Sequence, residues 1–452
     1  MFGYSMKHIL HSCVLLTILI GALKVRISRY LSGNDNIDYS TFTILLNCIK
    51  LATLISLPHM LFNFLGLIMY DAFPGKVKLK GSPLLAPFIN IRVVTRGDYP
   101  QLVKTSVKRN LKTCIDAGLK NFQIEVVTGK PIGLMSHRRI RELVVPSEYQ
   151  TKTGALFKAR KLQYCLEDGV NKLADHDWIV HLDEETLLTE NSIHGILNFV
   201  HDGKHLFGQG LNTHPSENVV NWITAVADSF RVAEDMGKLR FQFRMFHRPL
   251  FNIKGSFLVA QAGAEKHVSF DNGLDGSIAE DCLFALKADS LGYTFDFIEG
   301  EMWEMSVFTI SDFIRQRTRW NHGLYLVITS DLIPLKNKIC VASMWCSLQL
   351  LPFSITCSLL SFIINLEYHI LIDLLGIFIS IVTIYRYIYG SLQSFSFENY
   401  STFSSVMMRV LLIFSPLTVL LECIALVYAF FDRNYYEFYV VNKEQPVVDH
   451  KD

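Results

Sequence analysis

Apolar stretches lie at both ends of this chain, near residues 9–23, 43–69, 339–366, 370–389 and 406–431, and enclose one long segment, 76–334, of ordinary globular composition. A helix needs about 20 mainly apolar residues to cross a bilayer core, so the last four stretches qualify. The first, ILHSCVLLTILIGAL, is marginal: it reads as a signal-peptide core, an uncleaved anchor or an interfacial helix. Lys24, Arg26 and Arg29 follow it in place of a clean small-residue cleavage site, which favours the anchor. The pattern divides the chain into N-terminal membrane segments (1–75), a globular domain (76–334), C-terminal transmembrane segments (335–431) and a tail (432–452).

Lys76, Lys78 and Lys80 follow the second stretch, and Lys336 and Lys338 precede the third. By the positive-inside rule these flanks put the middle domain in the cytosol, whereas the basic loop after the first stretch pulls the other way and leaves the N-terminal topology open. Cys114, Cys165 and Cys282 are the cysteines of the middle, widely spaced and without a C-x-x-C pair, so no disulfide framework is indicated. The other six lie in apolar segments, where a free cysteine behaves as a small hydrophobe. The sequon Asn399-Tyr400-Ser401 falls between the fourth and fifth stretches, on the cytosolic side by the same count, and is expected to carry no glycan. With 43 Lys+Arg against 42 Asp+Glu, nothing in the charge marks a nucleic-acid binder.

Within the middle, short β-rich runs alternate with helical patterns. FINIRVVT (88–95), the helical 99–119, FQIEVVT (122–128), ELVVP (142–146), the helical 154–170 and DWIVHLD (177–183) follow one another. Such alternation predicts a single doubly wound, mostly parallel sheet with helices on both faces. Ligands then bind beyond the carboxyl ends of the strands. Three sequence sites fall on that edge: Thr95-Arg96-Gly97, Thr128-Gly129-Lys130 and Asp183-Glu184-Glu185. Neither G-x-G-x-x-G nor G-x-x-x-x-G-K-[ST] occurs, so no Rossmann dinucleotide site or P-loop is indicated.

Three motifs carry chemistry. Asp183 and Glu185 are two residues apart, so in an extended chain they project to one side and can ligate Mg²⁺ or Mn²⁺, with Glu184 pointing away; a solvated strand end is the other reading. Glu280-Asp281 opens a helix over 278–291, where acids are favoured by the helix dipole or serve as a general base. SDFIRQRTRWNHG (311–323) reads as a basic amphipathic helix stopped by Gly323. It suits lipid headgroups, or, through Gln316-x-x-Arg319-Trp320, a phosphate and a sugar ring. Phe241, Phe243, Met245, Phe246 and Leu250, interleaved with Arg240, Arg244, His247 and Arg248, form either a second lipid-facing element or part of the core.

The order Asp183-Glu-Glu185, Ala279-Glu280-Asp281, Gln316-Arg-Thr-Arg319-Trp320, followed at once by membrane spans, resembles the family 2 inverting glycosyltransferases such as cellulose and hyaluronan synthases. EVVTGK, VPSEYQTKTGALFKARKLQYCLE, WIVHLDEETLLTEN, FGQGL, FDNGLDGSIAEDC and FIEGEMWE are more closely similar to the Egghead type of animal glycolipid β-1,4-mannosyltransferase. The resemblance covers nearly all of 88–325. It implies a glycosyltransferase A fold, GDP-mannose as donor, glucosylceramide as acceptor, a divalent metal (Mn²⁺ or Mg²⁺), no covalent intermediate, and residence in the Golgi or endoplasmic reticulum with the catalytic domain facing the cytosol.

Carried onto these residues, Asp183 and Glu185 hold the metal, and Asp281, beside Glu280, takes the acceptor proton. Arg319 opposes the charge growing on the diphosphate. Thr95, Arg96, Thr128, Gly129, Lys158 and Asp183 contact the donor, and Gln316 and Trp320 line the acceptor end. The chain departs from the family at Gly129, where relatives carry an Asp that contacts the base. A lost hydrogen bond there weakens donor binding by about 1–3 kcal/mol, unless Asp98 or Glu125 replaces it; a turn glycine with positive φ is the other reading of that position. Two rivals remain open at this level: a processive polysaccharide synthase, and a non-enzymatic multi-pass transporter or receptor, to which ionisable residues inside spans (Glu422, Asp373 and Arg386) would point.

Overall fold

The computed structural model describes residues 5–32, 41–214, 219–251, 253–363, 369–395, 413–432 and 434–443. It opens with α1 (Met6–Leu31), α2 (Thr41–Thr53) and α3 (Leu57–Met69), the last two joined by a 3-10 turn at Leu54–Ser56. An α/β domain follows. Its elements are β1 (Ile89–Val94), α4 (Pro100–Asp116), β2 (Phe122–Thr128), β3 (Ile140–Val144), α5 (Phe157–Tyr164), β4 (Trp178–Asp183), α6 (Glu190–Asp202), β5 (Phe207–Thr213), α7 (Trp222–Glu234), β6 (Leu258–Gln261), α8 (Ala262–Val268), α9 (Glu280–Ser290), β7 (Phe295–Trp303) and α10 (Ile310–Thr329). Helices α11 (Leu335–Ile363), α12 (Ile370–Ser394) and α13 (Val419–Phe431) complete the chain.

The strands form one seven-stranded sheet in the order β3-β2-β1-β4-β6-β5-β7. Only β6, which runs against both β4 and β5, is antiparallel to its neighbours, so the doubly wound, mostly parallel fold expected from the alternation is present. The central strands β1, β2 and β4 are buried because both faces are covered, and the polar residues they bury, Asn90, Arg92, Glu125 and His181, are hydrogen-bonded within the domain. On one face Val103, Val107 and Leu111 of α4 and Ile193, Ile196 and Leu197 of α6 close a core over β1, β2 and β4. On the other, Leu162, Val232, Phe270 and Phe284 pack with Phe207 and Phe295. Register fixes the carboxyl edge: Val94 of β1 stands between Val127 of β2 and Asp183 of β4.

Among the described residues, four helical stretches are long and apolar enough to cross a membrane: Met6–Leu31, Ile44–Met69, Leu335–Leu360 and Ile370–Ser394. The first extends well beyond the marginal run seen in the sequence. The fifth stretch is represented by the shorter apolar helix Ser415–Phe431; its start, 406–412, and the sequon at Asn399 lie outside the described residues. These helices dock on the α/β domain through polar contacts. Ser391 meets Ser229 at 2.7 Å, Arg386 donates to Glu234 at 2.8 Å, and Glu422 accepts from Arg317 at 2.8 Å. Asp373 pairs with Arg26 and Lys50. The ionisable residues that gave weight to a transporter are therefore each held in an internal ion pair.

The aromatic-basic segment after α7 takes an intermediate course, through two π-helical turns at Asp235–Leu239 and Gln242–Phe246. Phe241 and Phe243 enter the core. Phe246 stays exposed and stacks on Phe62 of α3 with ring centroids 5.3 Å apart, so this element clamps the domain to a membrane helix.

Candidate active site

A cavity of about 1010 Å³ opens on the carboxyl edge of the sheet. Its lining begins at Thr95, Arg96 and Asp98, passes Lys158, Asp183, Glu280, Asp281 and Arg319, and ends among Met344, Leu348 and Tyr387 of the apolar helices.

The three acids at the end of β4 all line it, although not as strand alternation predicts. β4 ends at Asp183 and the chain turns there, so Glu184 does not point away. Glu184 accepts a hydrogen bond from the Thr95 hydroxyl and pairs with Lys443 at 2.9 Å; Glu185 pairs with the same ammonium at 2.5 Å. Asp183 pairs instead with Lys158 at 2.6 Å. Burial works to raise the Asp183 pKa, but Lys158 beside it, with Lys443 and Arg319 further off, brings it below the usual value. Burial and the neighbouring carboxylates push Glu185 up in spite of Lys443.

Lys158 also lies 3.5 Å from Glu280, and so joins the strand-end acids to those at the start of α9. Both α9 acids face the cavity. Burial pushes Glu280 up to about 7, against the pull of Lys158 and with the help of Asp281; burial likewise raises Asp281. The backbone of Gly255 passes beneath this group. A Cβ there would stand 2.9 Å from Lys158 Nζ, 3.4 Å from Asp281 Oδ2 and 3.5 Å from Glu280 Oε1. Gly255→Ala is therefore expected to displace the ammonium from Asp183 and cut turnover severalfold without unfolding the protein, as steady-state kinetics and a melting curve will register; unchanged turnover would mean that the lysine position is not critical.

The helix carrying the Gln-Arg-Trp motif runs through Gly323 to Thr329, so Gly323 is not a stop. Its missing side chain serves a close approach, since a Cβ would come within 2.8 Å of Ala279 Cβ, next to the α9 acids. Arg319 faces the carboxylates, and burial lowers its pKa against their attraction. Trp320 has Arg317 4.3 Å and Arg231 4.8 Å from its ring centroid, while Gln316 accepts from Arg317 at 2.9 Å.

At the other end, Thr95 and Arg96 line the cavity, but Thr128 and Gly129 do not. The Thr128 hydroxyl closes its own turn on the Lys130 carbonyl at 2.7 Å. Gly129 is not among the positive-φ glycines, so no backbone strain requires a glycine there. Glu125 is committed beneath the strands to Arg92 and Arg141, each at 2.8–2.9 Å, whereas Asp98 lines the cavity.

Two contributors escaped the sequence motifs. One is Gly255. The other is the segment after α13, which returns over the cavity mouth: Phe438 stacks on Phe157 at 4.8 Å, Arg319 donates to the Tyr439 carbonyl at 3.1 Å, and Lys443 ends between Glu184 and Glu185. Phe157 sits at φ +52° immediately before Lys158. A bulky residue in that region costs about 1–3 kcal/mol and persists where its surroundings impose it; here the Phe438 stack does so.

Residues 178–441 match the model described as glycosyl transferase family group 2. Over 453 residues the chain is 52% identical to the β-1,4-mannosyltransferase egh of Drosophila melanogaster, covering 98% of each. It is 46% identical to the β-1,4-mannosyltransferase bre-3 of Caenorhabditis briggsae, covering 97% of this chain and 98% of that one. Among solved structures, the mannosyltransferase PcManGT of Pyrobaculum calidifontis, in complex with GDP-Man and Mn²⁺, aligns over 85% of this chain and 99% of its own at 11% identity, with a TM-score of 0.45.

Proposed function

Because this chain belongs to glycosyl transferase family group 2, alongside the β-1,4-mannosyltransferases egh and bre-3, we propose that it transfers mannose from GDP-mannose, with inversion, to the glucose of a membrane glycosphingolipid, glucosylceramide, in a β-1,4 linkage. The observation that carries this reading is the course of the cavity, which joins the acid and lysine cluster on the sheet edge to the membrane helices. At about 1010 Å³ it reaches the upper end of the range for a single small ligand and leaves room for a second.

In this mechanism the acceptor hydroxyl attacks the anomeric carbon as the nucleoside diphosphate departs. Asp281 takes the hydroxyl proton, and its raised pKa makes it a stronger base than an exposed carboxylate. Lys158 and Arg319 hold fixed positive charge where the diphosphate becomes more negative, in a site shielded from bulk water. Lys443 adds a third cation. Trp320 and Gln316 stand where the cavity turns toward the apolar helices and would border the acceptor sugar.

Among the described residues no group of three or more His, Cys, Asp or Glu side chains is arranged to hold a metal ion. Two carboxylates still suffice for a Mg²⁺ or Mn²⁺ that completes its shell with water and substrate phosphate. Asp183 and Glu185 would hold it, and it would supply Lewis-acid neutralisation of the leaving diphosphate. Each of these carboxylates is lysine-paired, so cation binding competes with Lys158 and Lys443.

The domain division that accompanies this reading is membrane segments over 1–75 and 335–431 around a catalytic domain at 76–334, facing the cytosol from the Golgi or endoplasmic reticulum. Membrane fractions supplied with a panel of labelled nucleotide sugars, with and without EDTA, provide the test. Mannose transfer from GDP-mannose into lipid extract, abolished by EDTA and restored by Mn²⁺ or Mg²⁺, is the expected result. Transfer from a UDP-sugar into a water-soluble polymer would overturn it.

A further inference from the structure

Lys161 stands one turn beyond Lys158 on α5, buried in the cavity lining, with its side chain in no hydrogen bond or ion pair among the described residues. Four other cations of the lining are committed, and Arg319 donates to the Tyr439 carbonyl. Lys158 holds Asp183, Lys443 holds Glu184 and Glu185, Arg96 holds Asp98, and Arg160 donates to the carbonyls of Pro146, Ser147 and Tyr149. Burial, with Arg96 and Arg160 nearby, brings the Lys161 pKa down to about 8, against the attraction of Glu184 and Asp98. A buried charge without a partner is costly, and a strongly perturbed group in a cleft marks a ligand contact.

Its position specifies which part of a ligand it meets. The Lys161 side chain passes the end of β2, where a Cβ on Gly129 would lie 3.6 Å from its Cε. β2 is two strands from β4, about 9.5 Å at the usual spacing. A nucleotide whose diphosphate lies against Lys158 and Asp183 therefore brings its base, not its phosphates, over the end of β2. We infer that Lys161 reads the nucleobase of the donor, its ammonium donating to a ring carbonyl and so selecting oxo bases over amino bases. Guanine O6 and the uracil O4 accept such a bond; adenine N6 and cytosine N4 present an amino donor in that place and repel it. The inference rests on the donor being a nucleoside diphosphate sugar bound on this edge, as proposed above.

The experiment uses the full chain in detergent and measures binding of GDP, ADP, UDP and CDP by calorimetry. The wild type is expected to prefer GDP over ADP, and Lys161→Met to weaken GDP by about 10- to 100-fold while ADP changes less than about twofold. An equal loss for GDP and ADP would make Lys161 a phosphate contact and overturn the inference, as would no loss at all. If the wild type instead prefers UDP, the guanine donor proposed above fails; the UDP and CDP pair then tests Lys161 by the same comparison. Removing an unpaired buried charge should leave the melting temperature equal to or above that of the wild type. Lys161→Arg, which keeps a cationic donor and adds no acceptor, carries the comparison if the methionine variant does not fold: it is expected to retain the oxo preference, and its loss overturns the inference.

Discussion

Asp281→Asn is expected to lower kcat by at least about a hundredfold, within the 10²- to 10⁴-fold range of a lost general base, and to leave the KM for the donor nearly unchanged. The asparagine keeps the shape of the carboxylate and its hydrogen bond from the Cys282 N–H, 2.8 Å away, so the start of α9 should remain intact. Glu280 supplies the companion measurement. Its pKa of about 7 and the raised pKa of Asp281 belong to an interacting pair, so the two acids titrate together. The base works deprotonated, and activity therefore falls as pH drops through the step at which Asp281 takes up its proton, which burial moves above the ordinary carboxylate range. Glu280→Gln removes a like charge from beside Asp281, lowers the pKa of the base and moves the acidic limb to lower pH. If Glu280→Gln abolished turnover while Asp281→Asn merely shifted the limb, the two roles would be exchanged and the mechanism above would be wrong.

The largest expected effect on stability belongs to Arg317. It is 6% exposed and joins Asp228 of α7 to Glu422 of α13, with its guanidinium over the rings of Phe313 and Trp320 at 4.2 and 4.3 Å. Arg317→Met keeps much of the volume but strands two buried carboxylates, a loss of about 3–5 kcal/mol. The melting midpoint in detergent should fall by at least about 5 °C, with less monodisperse protein recovered. Neutralising the partners as well, in Arg317→Met with Asp228→Asn and Glu422→Gln, should recover most of the loss, because the cost lies in unpaired charge rather than in a missing bond. A single variant that melts like the wild type would show that the three groups are solvated.

Local pattern made much of this legible. Alternating apolar runs and helical periods are local properties, and they were enough to put Thr95 and Asp183 on one edge of a doubly wound sheet. The α9 acids and Arg319 were legible because each stands in a short motif that a single element presents. What escaped depends on where an element ends or on contacts distant in sequence. Period-two alternation made Glu184 point away, but β4 stops at Asp183, and beyond that residue the rule has no backbone to act on. Gly323 looks like a stop because glycine ends isolated helices; its reason is a neighbour, Ala279, that only the fold supplies. Lys443 meets Glu185 across 258 residues, and nothing near either residue announces the other. Gly255 has no side chain to form a motif at all.

The returning segment after α13 has a consequence for how such a protein comes into being. A ribosome delivers the sheet, both acid pairs and Arg319 long before it delivers Phe438 and Lys443, and the latter reach the site only after the last apolar helix has been placed. Until then Glu184 and Glu185 face each other with no Lys443 between them, and Phe157 lacks the ring that holds its strained backbone. The pocket is thus completed by a segment made well after the sheet: a nascent chain that has not yet delivered residues 434–443 holds the strand-end acids without their lysine, and a chain cut before Phe438 keeps the sheet and both acid pairs but loses this wall of the cavity.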